Sequence, residues 1–138
     1  MALWILLGLF LVLQAVIRLA PTDPARWHVD PFAAADPGRR GAKRLLAVPH
    51  PPAEALAQID AVAATWPRTR HIAGSAGEGR MSYVTRSGFW GLPDYTTVAV
   101  RPHEAGAELA LLARQRFGRG DFGTNAARLR DWIAAAGV

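Results

Sequence analysis

The chain contains no cysteine. Disulfide staples, thiolate metal sites and cysteine nucleophiles are excluded together, while the redox compartment stays open. Charged side chains are missing from the first seventeen residues, where Gln14 is the one polar side chain and Arg18 the first ionised one. Lysine occurs once, at Lys43, against fifteen arginines, and the formal net charge over 138 residues is +5. The basic residues are not interleaved with aromatics as single-strand binders require, so no nucleic-acid partner is expected.

The uncharged opening is the strongest signal in the sequence. At the helical rise, residues 1–20 extend roughly 30 Å, about the thickness of a bilayer's hydrocarbon core. Trp4, Ile5, Leu6, Leu7, Leu9 and Phe10 point in every direction around the helix, leaving no polar face of the kind a core helix keeps. Arg18 can carry its guanidinium to the interface, and Pro21 ends the helix. A secretory signal peptide has a basic n-region and an A-x-A-like cleavage site. Here neither is present, and Leu19-Ala20-Pro21 places proline where a peptidase would cut. Residues 1–20 are therefore expected to be an uncleaved transmembrane anchor, with the lipid bilayer as its partner. Arg18, Arg26, Arg39, Arg40, Lys43 and Arg44 follow it closely. By the positive-inside rule they favour a cytoplasmic over a periplasmic domain, and anionic lipid would attract the same charge.

Seven prolines between Pro21 and Pro52 mark residues 21–52 as a Pro/Arg-rich linker or extended arm. Within it Trp27, Val29 and Phe32 are placed either at the membrane interface or against the domain. Residues 53–138 suffice for one compact domain. Pro52 opens a helix in which Leu56, Ile59, Val62 and Trp66 recur at spacings of three and four, and Pro67 closes it. Strands are expected over residues 69–73, 80–86, 95–101 and 108–117, with turns at Gly74 to Gly79 and Pro102 to Gly106. A closing helix runs from about Asp121 to Ala136 with Ala126, Leu129, Trp132 and Ile133 on its buried side. This element order predicts an α+β fold: a small antiparallel sheet of three to five strands with two helices on one face.

Several patterns resemble catalytic motifs and fail on context. Gly118, Gly120 and Gly123 spell G-x-G-x-x-G between a strand and a helix, but no second parallel strand follows to supply the acidic ribose ligand. Gly74 to Met81 has the glycine spacing of a Walker A loop, yet Arg80 and Met81 stand where Lys and Ser or Thr are required. Ala73 replaces the first glycine of a nucleophile elbow around Ser75. His28, His50, His71 and His103 are read as isolated, and a zinc site needs three or four convergent donors, so no metal and no cofactor is expected. Asp94, after Pro93, fits turn chemistry as well as catalysis.

In the last strand Leu109, Leu111 and Ala113 point one way, and Glu108, Leu112, Arg114 and Arg116 the other. Downstream, two readings stand side by side. In the structural one Gly118 and Gly123 permit a sharp turn, Asp121 accepts backbone N–H groups at the helix start, and Arg116 or Arg128 pairs with Asp121. In the functional one Arg114, Arg116, Arg119 and Asn125 form an anion pocket there, opposed by the charge of Asp121.

The run Arg116, Gly118, Asp121, Gly123, Asn125 and Arg128 resembles the C-terminal pattern Arg-x-Gly-x-Ser-Asp-x-Gly-x-Asn-x-x-Arg of domain of unknown function 1499, with Gly120 in place of the usual serine. Arg86 to Tyr95 is similar to that family's aromatic and basic stretch, with Asp94 at its acidic position. The resemblance covers roughly residues 53–136. It implies a small bacterial or plastid domain, often tied to membranes, with no established catalytic residues. The expected protein is a single-pass, non-catalytic binding or interaction module in a bacterial inner membrane. It would recognise anionic lipid head groups or an acidic protein through its arginines. A membrane-tethered hydrolase or transferase using Asp94 or Asp121 with a histidine is the alternative.

Overall fold

A computed structural model describes residues 1–138. Its elements are α1 (Ala2–Leu19), α2 (Pro24–Trp27), a 3-10 turn (Gly38–Arg40), β1 (Gly41–Val48), α3 (Pro52–Thr65), β2 (Thr69–Ser75), β3 (Arg80–Arg86), β4 (Pro93–His103), β5 (Gly106–Gln115) and α4 (Thr124–Ala136). The fold is α+β. Five strands form one sheet in the order β1-β5-β4-β3-β2, every pair antiparallel.

Local chemistry sets the boundaries. Pro52 starts α3 where its missing N–H costs nothing, Glu54 lies in the first turn, and extended Trp66 before Pro67 stops the helix. Helix α4 ends at Gly137 in the left-handed region. Between β1 and β2, α3 crosses from one sheet edge to the other, so the last strand, β5, closes against the first. A bulge between His71 and Ala73 irregularises the free edge strand β2.

The sheet is buried on both faces. On one, α3 and α4 lay Leu56, Ile59, Leu129 and Trp132 over Val98, Leu109, Leu111 and Ala113. On the other, Trp27 packs with Val84 and Tyr95, its ring stacked on Tyr95 at 4.0 Å. The Trp27 carbonyl accepts from Thr97 Oγ1 at 3.0 Å. Lys43 Nζ donates to the Phe32 carbonyl at 3.2 Å, and the Arg101 guanidinium lies 4.1 Å from the Phe32 ring centroid. Residues 21–36 are thus a strap on the sheet and not a free linker.

This revises the expected division at residue 52. Gly41–Val48 is a full strand of the sheet, so the folded unit includes part of the segment assigned to the linker. Its sequence hid this, because exposed Arg44 and Leu45 interrupt a clean alternation and its partners in β5 lie 59 (Val48 to Ala107) to 73 (Gly41 to Arg114) residues away. The histidines are also less isolated than their spacing suggests. His28 Nδ1 bonds Ser82 Oγ at 2.8 Å and its Nε2 lies 2.9 Å from Glu78 Oε1, while His50 Nδ1 is 3.2 Å from Glu54 Oε1 one turn on.

Candidate functional site

Register places the end of β3, the start of β4, the end of β5 and the start of β1 at one end of the sheet: Arg86 faces Pro93, Asp94 faces Gln115, and Gly41 faces Arg114. The β3–β4 loop, the β5–α4 loop and the 3-10 turn all emerge there. Three of the concave sites that open among them are lined by arginine.

The first is basic. Arg114 leaves β5 on the strap side, donates from Nη2 to the Trp27 carbonyl at 3.0 Å, and its guanidinium carbon lies 5.0 Å from the Trp27 ring centroid. Arg26 sits at the same 5.0 Å from that ring. Arg40 reaches in from the 3-10 turn and donates to the Arg116 carbonyl at 3.3 Å. Together with Trp27, Pro37 and Gln115 they line a cavity of about 280 Å³ that includes no carboxylate. Arg114 Nε is buried without an acceptor. Burial, and secondarily the charge of Arg26, pull the Arg114 pKa below its ordinary value. Such a guanidinium lacks a counter-ion, and an oxyanion presents the oxygens that it needs.

The second, about 420 Å³, lies between Gly38, Arg39, Arg119 and Asp121. The third is a cleft of about 620 Å³ lined by Arg68, Arg86, Asp94, Phe122, Arg128 and Asp131 among others. Arg128 Nη2 is 3.3 Å from Asp94 Oδ2, and Arg128 Nη1 donates to Asn125 Oδ1. Burial raises the Asp94 carboxyl above its ordinary value against the opposing pull of Arg128. No histidine lines this cleft.

The four residues expected to form one anion pocket are therefore distributed. Arg114 lines the first cavity and Arg119 the second. Arg116 donates to the Pro21 carbonyl at 2.8 Å and to Tyr95 Oη at 3.3 Å, which fastens the strap. Asn125 is buried in the first turn of α4, where its Oδ1 accepts from Arg128. Asp121 caps α4: Oδ1 accepts from Gly123 N at 2.9 Å and Oδ2 from Asn125 N at 3.1 Å. The expected pairing of Arg116 or Arg128 with Asp121 does not form. Both carboxylate oxygens already accept backbone N–H groups, and Arg128 turns into the protein toward Asp94. Gly118 and Gly123, at φ 100° and 79°, occupy conformations that a Cβ disfavours.

Sequence reasoning missed Arg26 and Arg40 as site residues, because they read as juxtamembrane charge. It also missed Phe122, which has φ 52° and is fully exposed. A left-handed backbone costs a non-glycine residue roughly 1–2 kcal/mol.

The family model described as "Protein of unknown function (DUF1499)" matches residues 18–135. The chain belongs to this family. The DUF1499 match begins at Arg18, so it takes in the strap and β1 as well as the region from residue 53 onward. Protein MLL2253 from Mesorhizobium loti has a similar crystal structure, with a TM-score of 0.52 at 11% identity over 69% of this chain and 92% of that one. Protein CV1439 from Chromobacterium violaceum gives 0.48 at 12% identity over 70% and 94%. An uncharacterised protein from Rhizobium leguminosarum gives 0.48 at 13% over 69% and 91%. The first of these supports the fold. No curated protein matches the sequence.

Proposed function

We propose that this DUF1499 chain is a membrane-tethered, non-catalytic binding module that holds a phosphate-bearing anion between Arg26, Arg40 and Arg114. The observation that carries the reading is the cavity itself: three guanidiniums around about 280 Å³, no lining carboxylate, and a buried Arg114 Nε without an acceptor. The strap builds the site, since Trp27 supplies both the ring on which the two flanking arginines lie and the carbonyl that orients Arg114.

The tether is α1, an 18-residue helix of mean hydropathy 2.3 with 6% of its residues buried, a composition that a signal sequence shares. Its retention is supported by its last turn. Ile17 is buried, Arg86 Nη1 donates to the Ile17 carbonyl at 3.2 Å, and Arg18 Nη2 donates to the Phe89 carbonyl at 3.2 Å. The arginines after the span favour a bacterial inner membrane with the domain on the cytoplasmic side. The phosphate belongs either to an anionic lipid or to a free solute. Full-length protein in phosphatidylcholine nanodiscs, observed through the Arg114 side-chain Nε–H resonance, tests both. Added inorganic phosphate shifting that resonance identifies a solute site, and phosphatidylglycerol in the disc shifting it identifies a lipid site. A charge-assisted hydrogen bond is worth ~1.5–3 kcal/mol, so Arg40→Gln weakens either response about tenfold or more. No response to either probe refutes the proposal.

Asp94 favours a second reading, as an acid in a hydrolase or transferase, because its raised pKa coincides with the 620 Å³ cleft. Asp121 is a poorer candidate, since its carboxylate is spent on the α4 cap. Turnover of any substrate class that is lost in Asp94→Asn with unchanged folding would establish the second reading.

A further inference from the structure

We propose that the β3–β4 loop, through Phe89 and Trp90, is a second membrane contact that enters the bilayer beside α1 and fixes the domain with one end of its sheet against the lipid surface. This rests on the reading of α1 as a retained anchor. Phe89 and Trp90 are 71% and 44% exposed, although each is an aromatic in a tight loop that has a buried sheet next to it. Their rings are not turned to open solvent at random. Phe10, eight residues before Arg18 on the apolar helix, has its ring centroid 6.3 Å from Phe89 and 5.9 Å from Trp90. Eight residues of helix is about 12 Å, so a loop that touches Phe10 lies within the depth of the span, and Trp and Phe are favoured at that depth.

The loop is held there by the two arginines at its base. Arg18 donates to the Phe89 carbonyl, and Arg86 donates to the Gly91 carbonyl at 2.8 Å while also holding the Ile17 carbonyl. Helix end and loop therefore move as one piece, with guanidiniums at the level where lipid phosphates lie. The rest of that end matches an anionic surface. Arg39, Arg40, Arg68 and Arg119 project from its other loops, and fully exposed Phe122 adds a third aromatic. At the opposite end the turns carry Glu78 and Glu104, and the nearby arginines Arg80 and Arg101 are paired with Glu78 and Glu108. A charge and aromatic asymmetry of this kind is what an interface between lipid and water selects.

The absence of native cysteine allows a direct test. Full-length protein carrying Phe89→Cys, labelled with an environment-sensitive fluorophore, is reconstituted in phosphatidylcholine and phosphatidylglycerol vesicles. Gly88→Cys provides a second probe in the same loop, where an added Cβ meets nothing within 4 Å. Leu9→Cys reports on the span and Ala105→Cys on the far end. The expected result is blue-shifted emission and loss of iodide quenching at positions 9, 88 and 89, with position 105 fully quenched. Iodide quenching at both 88 and 89 with position 9 protected overturns the loop contact and leaves the anchor standing. Quenching at position 9 as well overturns the anchor and the loop contact together.

Discussion

Asp94 and Arg128 form the ion pair on which the C-terminal motif turns, with side chains 15% and 9% exposed. Removing one partner of such a pair strands the other, so Arg128→Met is expected to destabilise the protein by about 3 kcal/mol or more in urea denaturation. Burial of the Asp94 carboxyl, which outweighs the pull of Arg128, sets a pH dependence. Because the folded-state pKa of Asp94 is raised above the ordinary 3.8, the native state binds its proton more tightly than the unfolded chain. The stabilisation is complete below the unfolded value and is lost as pH rises through the folded one. Wild type should therefore lose stability across that window relative to Asp94→Asn, whose profile lacks this component. Comparing the two unfolding curves as a function of pH checks it. Asp121 behaves in the opposite structural sense, as a cap: Asp121→Ala should cost about 1 kcal/mol, and Asp121→Asn much less. The sequence offered a cap and an anion pocket side by side for this segment, and the Asp121 carboxylate accepts the N–H groups of Gly123 and Asn125. The pairing of Arg128 with Asp94 was not legible in the sequence, because the two lie 34 residues apart and only the packing of α4 against β1 and β5 brings Arg128 to the start of β4.

Among elements, α3, α4 and strands β2 to β5 followed from periodicity and from turns rich in glycine and proline. The unread elements were those whose identity depends on a distant partner. Strand β1 exists because β5 offers it an edge, and its first residue shows how close that pairing is. A Cβ on Gly41 would lie 2.0 Å from the Ala113 carbonyl oxygen. Gly41→Ala is accordingly expected to cost about 1–3 kcal/mol by overpacking, read as a lower urea midpoint. The strap has one buried aromatic at its centre, beside the bonds that Arg116 and Lys43 make to its carbonyls. Trp27 is 4% exposed and stacked on Tyr95, so Trp27→Ala should cost about 3–5 kcal/mol. It should also open residues 21–36 to protease cleavage before the sheet unfolds. Whether that segment met lipid or protein was decided by an apolar sheet face that needed cover.

Across the whole molecule, basic loops and exposed aromatics gather at the end of the sheet next to the last turn of α1, and the β4–β5 turn lies at the other. Ala105 in that turn is exposed, so Ala105→Cys gives a topology measurement independent of the loop. A membrane-impermeant maleimide is expected to label it only after cell lysis, in keeping with a cytoplasmic domain. Labelling in intact cells would instead place the domain outside.

An apolar run needs no partner to declare itself, and turn residues, caps and amphipathic periods act over a few positions. For that reason the apolar N-terminal helix, the α+β class and the DUF1499 motif were all present in the linear chain. The arginine-lined cavity and the aromatic-rich end of the sheet were not. Arg26, Arg40 and Arg114, like Phe10 and Trp90, become neighbours only after long-range strand pairing and strap docking have closed the chain on itself. Convergence of that kind is a property of tertiary packing, which no local spacing encodes.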